Sequence, residues 1–217
     1  MKMLVVFEKT GPHRFLGHLD LQRAMQRALR RSGLPVTYSQ GFNPHLQLSF
    51  AAPLSVGIAG LREVMEVPLA ASITPATFVR RLNDTLPEGM KAQAAVLQED
   101  SVQKAMARMA AATYTLKPET DFDRLAAAVP GFLARESIPF MKKGKAGERE
   151  ENLRPLIYNL MVKEDHLMAV LATSSQGTAR ADQLLSSLCE YAGVDLPRCD
   201  ITRTALLDDS FVPLEGA

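Results

Sequence analysis

Long apolar runs are missing from this chain of 217 residues. Nowhere do about 18 apolar residues follow one another, the minimum for a helix that crosses a bilayer, so no membrane span is expected. The opening "MKMLVVFEKTG" places five apolar residues before its next charges and has no small-residue cleavage pattern; it reads as a first strand rather than a leader. Cysteine is scarce. Cys189 and Cys199 stand outside any CxxC, which argues against a structural zinc or iron–sulfur site and for reduced thiols in a cytoplasmic protein. No CxxxCxxC supplies a radical cluster, and no HxxxH or HxH offers a metal pair, so no cofactor or metal is expected. GxSxG, the Walker loop and GxGxxG are also missing, which argues against a serine hydrolase elbow, a P-loop nucleotidase and a dinucleotide fold.

What is present fits a folded protein: 47% apolar and 23% charged residues suffice to bury a core, and the length suits one large domain or two small ones. The net charge of +1 hides an uneven distribution. Residues 1–98 carry 11 Lys and Arg against 6 Asp and Glu, a net of +5; residues 99–217 carry 14 against 18, a net of −4. A basic half joined to an acidic half points weakly to a polyanionic partner for the first.

Each half has the same order of elements. In the first, "KMLVVFE" reads as a strand and residues 19–32 as a helix with Leu21, Ala24, Met25, Ala28 and Leu29 on its apolar face, stopped by Gly33 and Pro35. "PVTYSQ" and "LQLSFAAPL" read as two strands, or one bent strand, around a GFNPH turn. A strand over 62–69, a helix from Thr74 and Pro75, and a strand "MKAQAAVLQ" complete β-α-β-β-α-β. In the second half "AATYTLKP", a helix "DFDRLAAAVPGFLAR" that Pro130 must kink or end, strands "SIPFMKKG" and "HLMAVLATS", a helix ending at Gly193 and "DITRTALL" repeat the order, with "LIYNLMVKE" available to pair with "HLMAVLATS". The expectation is an α+β protein of tandem ferredoxin-like (βαββαβ) domains, 1–98 and 99–217. Residues 101–111 read as a helical connector, and 142–152 as a mobile charged loop with Lys142, Lys143, Lys145 and Arg149.

Candidate chemistry gathers in the basic half. Lys9, His13 and Arg14 follow the first strand, His18 and Asp20 open the helix, and Arg23, Arg27, Arg30 and Arg31 recur along one stripe of it. A helix N-terminus with an arginine stripe can follow a phosphate backbone, although the same stripe also suits a solvated helix face. His18 suits acid–base work, a ligand contact or a structural hydrogen bond; a metal role with His13, Asp20 and His45 is disfavoured, because residues i and i+2 do not face one another on a helix. In "SQGFNPHLQLSF", Gly41 can take a positive φ and Pro44 holds Asn43 extended, so the turn presents Phe42, Asn43 and His45 outward, more than a plain connection requires. Phe42 can cover a core edge or stack on a base. In the acidic half, Arg154 is a candidate anion contact, and the polar run Ser174, Ser175, Gln176, Gly177 and Arg180 precedes a helix.

These motifs resemble the radical SAM-linked protein family, whose pattern is an FLSHLDL block, an RALRR helix, S-x-GFNPHP and a PLPLG-like turn. Phe15, Leu16, His18, Leu19, Asp20 and Leu21 match the first block, Arg27 to Arg31 the second, and Ser39, Gly41, Phe42, Asn43, Pro44 and His45 the third. "NLRP" and "SSQGTARADQLL" resemble later family segments. Gly17 stands where the family has Ser, and Leu46 and Gln47 where Pro and a cation are common. The resemblance implies a radical SAM protein as partner and does not itself name a reaction. The tandem element order is also similar, at the level of fold, to CRISPR-RNA-processing endonucleases. Three functions follow as expectations: an RNA-binding accessory to a radical SAM enzyme, a metal-free endoribonuclease using His18 and His45, and a non-catalytic docking subunit.

Overall fold

The computed structural model describes residues 1–144, 147–174 and 177–216. In chain order the elements are β1 (Lys2–Lys9), α1 (His18–Arg31), β2 (Ser49–Phe50), β3 (Ala59–Pro68), α2 (Pro75–Asn83), β4 (Met90–Gln98), α3 (Ala105–Arg108), β5 (Ala111–Pro118), α4 (Phe122–Leu133), β6 (Pro139–Gly144), β7 (Gly147–Asn152), β8 (Ile157–Val162), β9 (Leu167–Ala172), α5 (Ala181–Ala192) and β10 (Cys199–Leu207). Short 3-10 turns cover Gly11–Phe15 and Arg154–Leu156. The protein is a mixed α+β fold with two compact units, Met1–Met109 with Arg203–Ala217, and Ala110–Thr202.

In the first unit β1 lies between β3 and β4 and is antiparallel to both; β2 pairs antiparallel with β3, which also neighbours β10. Alternation sends Met3, Val5 and Phe7 of β1 to one face, where α1 and α2 cover them with Leu21, Met25, Leu29, Phe78 and Leu82. Each such side chain, fully buried, stabilises by about 1.5–3 kcal/mol. Helix α1 forms because Leu21, Met25, Ala28 and Leu29 recur on one face. It stops at Gly33, whose φ of +60° a β-carbon would oppose, and the Arg81 guanidinium closes its end by donating to the carbonyls of Ser32 and Gly33. Thr74 caps α2 through its hydroxyl, which accepts from the Thr77 amide, and Pro75 follows at the first helical position.

The segment between α1 and β3 forms less strand than its alternation suggests. Only Ser49–Phe50 joins the sheet, while Val36 bridges Leu69 and Tyr38 bridges Leu46. Pro35 and Pro44 withhold backbone donors on either side of the turn, and a continuous ladder cannot form across them. The connector expected over 101–111 is helical only at Ala105–Arg108. The buried Glu66 accepts from the Ala105 amide at 3.1 Å, and Lys2 donates to Glu66 and to the Val102 carbonyl, each at 2.8 Å. These bonds hold the segment against β3 and leave it no room for a longer helix.

In the second unit β9 lies between β5 and β8, antiparallel to both, and β5 neighbours β10. Leu125, Val129 and Phe132 of α4 are buried, as are Leu184, Leu185 and Leu188 of α5, and the Phe132 and Tyr191 rings meet edge to face at 5.7 Å. Pro130 does not end α4, which runs on to Leu133; the proline is exposed, at a position where its missing N–H withholds one bond from the helix. Gly193, at φ +64°, ends α5 as expected. The charged stretch 142–152 is not a loop: β6 and β7 pair antiparallel as a separate hairpin, with Lys143 opposite Glu148 and Met141 opposite Glu150. Lys145 lies outside the described residues. Cys189 and Cys199 are both free thiols; burial raises the pKa of each, Cys199 to about 12.

Candidate functional site

Arg23, Arg27 and Arg30 lie exposed along α1, opposite its buried face. Arg23 pairs with Asp20 one turn earlier at 3.1 Å; both side chains are mostly in water, so the pair contributes no more than about 0.5 kcal/mol. Arg27 and Arg30 have no ion-pair partner among the described residues. Arg31 is committed elsewhere: its guanidinium donates to the Thr85 carbonyl at 2.8 Å and ties α1 to the end of α2.

The turn 39–45 is anchored to the same helix. Gln26, which lies between the arginines on α1, donates to the Leu46 carbonyl at 3.1 Å, and the Leu46 side chain is buried in the core. Ser39 closes the turn. Its hydroxyl accepts from the His45 amide at 3.0 Å and shares a hydrogen bond of 2.8 Å with His45 Nδ1, while the Ser39 amide donates to the His45 carbonyl. Gly41 sits at φ +133°, a conformation that a side chain would strain. The bonded ends hold out an exposed tip: Phe42 is fully exposed, with exposed Asn43 and His45 beside it. A whole phenylalanine ring in water is uncommon.

His18 occupies the first position of α1, exposed, with its ring edge against Phe50 at 5.6 Å. The Gly17 N-cap provides no side-chain bond, and the Ser of the family pattern would stand at this cap. Eight residues, or about 12 Å of helix rise, separate His18 from the Gln26 anchor of the turn. His18, the arginines and the turn therefore share one helix as their mount.

Three expected residues stand apart from this surface. Lys9 is fully buried, and its ammonium donates to the carbonyls of Arg14 and Leu16 at 3.4 and 3.3 Å. It lies near the buried Glu63, which forms a two-bonded ion pair with Arg203. Burial lowers the Lys9 pKa, partly offset by Glu63. Lys9 is thus a core cation and no surface contact. His13 packs over Gly89, where its buried Nδ1 has no hydrogen-bond partner among the described residues. Arg154 belongs to the second unit and serves the backbone there, donating to the carbonyls of Leu133 and Ile157 at 2.9 and 3.2 Å. Arg14 is half-buried; it donates to the Gly57 carbonyl at 2.6 Å and lies over the exposed Phe15 ring. In the polar run before α5, Ser175 and Gln176 lie outside the described residues; Arg180 pairs with Asp182. No group of three or more metal-ligating side chains occurs among the described residues.

Sequence reasoning did not single out Gln26 or Phe50, nor Ser39 as the residue that orients His45. A polar residue flanked by Met25 and the arginines is the only local sign of Gln26's role, and a hydroxyl six residues before a histidine across Pro44 is the sign of the closed turn.

No helix among the described residues is long and apolar enough to cross a membrane. No curated protein matches the chain. Among solved structures it is similar to a chain of one described as "Crystal Structure of a Cbf5-Nop10-Gar1 Complex", with a TM-score of 0.51 and 10% sequence identity. The match covers 94% of this chain and 48% of that one, so the protein spans about half the length of the chain it resembles; at this identity the likeness concerns the fold alone. A family model described as "Uncharacterized protein conserved in bacteria (DUF2344)" matches residues 2–181, well over half of the chain, and the chain belongs to that family.

Proposed function

We propose that the protein is an accessory RNA-binding module that positions RNA for a radical SAM enzyme, with no catalysis of its own. The observation that carries this reading is the fully exposed Phe42 on a closed turn, anchored through Gln26 to the helix that bears Arg23, Arg27 and Arg30. Guanidinium groups along a helix suit a phosphate backbone, and an exposed aromatic ring with neighbouring Asn43 and His45 suits an unstacked base and its ribose. The radical SAM partner rests on the motif resemblance alone, from Phe15 to His45. We further read both units as versions of the βαββαβ plan. In the first, β1 stands between β4 and β3, which also pairs with β2; in the second, β5 stands between β10 and β9, which also pairs with β8.

The test is direct binding of a short single-stranded RNA at about 50 mM salt, where phosphate contacts are strong. Phe42→Ala should weaken binding by roughly 1–3 kcal/mol, the range measured for one stacked base. His45→Ala should change the preference among RNA sequences. Undetectable binding by the wild-type protein under these conditions would favour the docking-subunit function, to be checked by pull-down with the radical SAM partner.

A further inference from the structure

Strand β4 ends the sheet of the first unit: among the described residues it pairs only with β1. Its outer edge is closed at one point. Asn83, at the end of α2, accepts from the Ala92 amide at 2.8 Å and donates to the Ala92 carbonyl at 2.9 Å, as a neighbouring strand would. Beyond Ala92 the edge is open. The Ala92 groups point away from β1, Phe7 lies opposite Ala92, and alternation along β1 then turns the backbone groups of Ala95 and Leu97 outward as well. The pairing on the other side of the sheet agrees, since the Val64 carbonyl points away from β1 and accepts from Ala51. The side chains there are apolar and unusually open for a strand: Ala94 is exposed, and Val96 and Leu97 are each 38% exposed. An open, apolar edge is what folded proteins ordinarily cover or charge.

We infer that β4 is the interface of a two-fold symmetric dimer, in which a second copy of this chain adds its own β4 antiparallel to the first. The register follows from the outward groups. With Val96 on the axis, Ala95 of each copy faces Leu97 of the other, and these two pairs exchange four backbone hydrogen bonds. Leu97 of the second copy then lies beside the shallow groove between α2 and β4 lined by Pro75, Ala76, Val79 and Ala95. Charge agrees with the direction. Lys91 and Glu99 are exposed at opposite ends of the edge and have no ion-pair partner among the described residues. Antiparallel pairing brings the basic end of each strand to the acidic end of the other, whereas parallel pairing would set like charges together. A two-fold contact also closes on itself; pairing of β4 with β8, the outer strand of the second unit, would be head to tail and could propagate. So short a ladder falls below the roughly 1,200 Å² of a stable interface, so the dimer should be concentration-dependent, with a Kd on the order of micromolar.

Sedimentation of the full chain over a concentration series tests this. The wild type should pass from monomer to dimer and stop there, and protection of the Ala95 and Leu97 amides against hydrogen exchange should rise with concentration. Val96→Lys, which sets two ammonium groups against each other at the axis, should raise the Kd at least about tenfold. Lys91→Glu should weaken the dimer, and Lys91→Glu with Glu99→Lys should restore it, a rescue that misfolding cannot imitate. A wild type still monomeric at roughly 300 µM, far above a micromolar Kd, would overturn the inference. So would a dimer indifferent to Val96→Lys, or assembly that grows without limit, which would indicate β4–β8 pairing.

Discussion

Between α1 and β3 the first unit forms almost no regular structure, whereas the matching stretch of the second unit, between α4 and β8, folds into the β6–β7 hairpin. The hairpin pairs its backbone with itself, from Pro139 opposite Asn152 to Gly144 opposite Gly147. The stretch in the first unit pairs with itself only briefly, with Tyr38 opposite Leu46 and Ser39 closing on His45, and it relies on outside anchors: Gln26 on the Leu46 carbonyl and Val36 against Leu69. A turn bonded to a helix is held in place relative to that helix. This is why the turn, with its exposed Phe42 and its Gln26 anchor on the helix that bears the arginines, is the better candidate for recognition.

The units differ also in their ion pairs, and breaking these should give the largest and the smallest effects. Arg203 and Glu63 are almost fully buried together, and Lys9 adds a second buried cation. Arg203→Ala should destabilise the protein by about 3–5 kcal/mol in urea unfolding, because Glu63 loses its bidentate partner inside the core. Lys9→Met sharpens the contrast between buried and exposed cations. It should change RNA affinity less than about twofold, since the ammonium is out of reach of a surface ligand. Burial lowers the Lys9 pKa, so the protonated form costs stability; the wild type should gain stability relative to Lys9→Met as pH rises toward 10.5. In the second unit His166 and Lys117 bond the exposed Asp165 carboxylate and lower its pKa to about 2. A depressed carboxyl stabilises the fold above its unfolded value and loses that contribution as pH falls. Asp165→Asn should therefore differ slightly from the wild type above about pH 4 and converge with it toward pH 2, as followed by thermal melts.

Most elements were legible in the sequence because their patterns are local. The apolar face of α1, the Thr74–Pro75 start of α2, the apolar run of β1 and the alternation of β5 each reflect neighbours a few residues apart. The failures involve partners distant in the chain. Lys9 looks like a loop cation until the remote Glu63 and Arg203 around it show it to be part of the core. Arg154 resembles an anion contact until the Leu133 and Ile157 carbonyls claim it. Charge density made 142–152 look like a loop, although its backbone pairs as a hairpin. Of the candidate site, the turn and the arginine stripe were readable; the Gln26 and Ser39 bonds that fix them were not, since polar side chains carry no periodic signal.

The central claim is that α1 and its docked turn hold RNA, and the most direct measurement is the salt dependence of single-stranded RNA affinity for the wild type and for Arg27→Ala with Arg30→Ala. If both arginines neutralise a phosphate, the slope of log affinity against log salt should shrink by about 1.4, at about 0.7 for each phosphate left without its guanidinium. An unchanged slope, with wild-type affinity retained, would place the RNA elsewhere and contradict the claim.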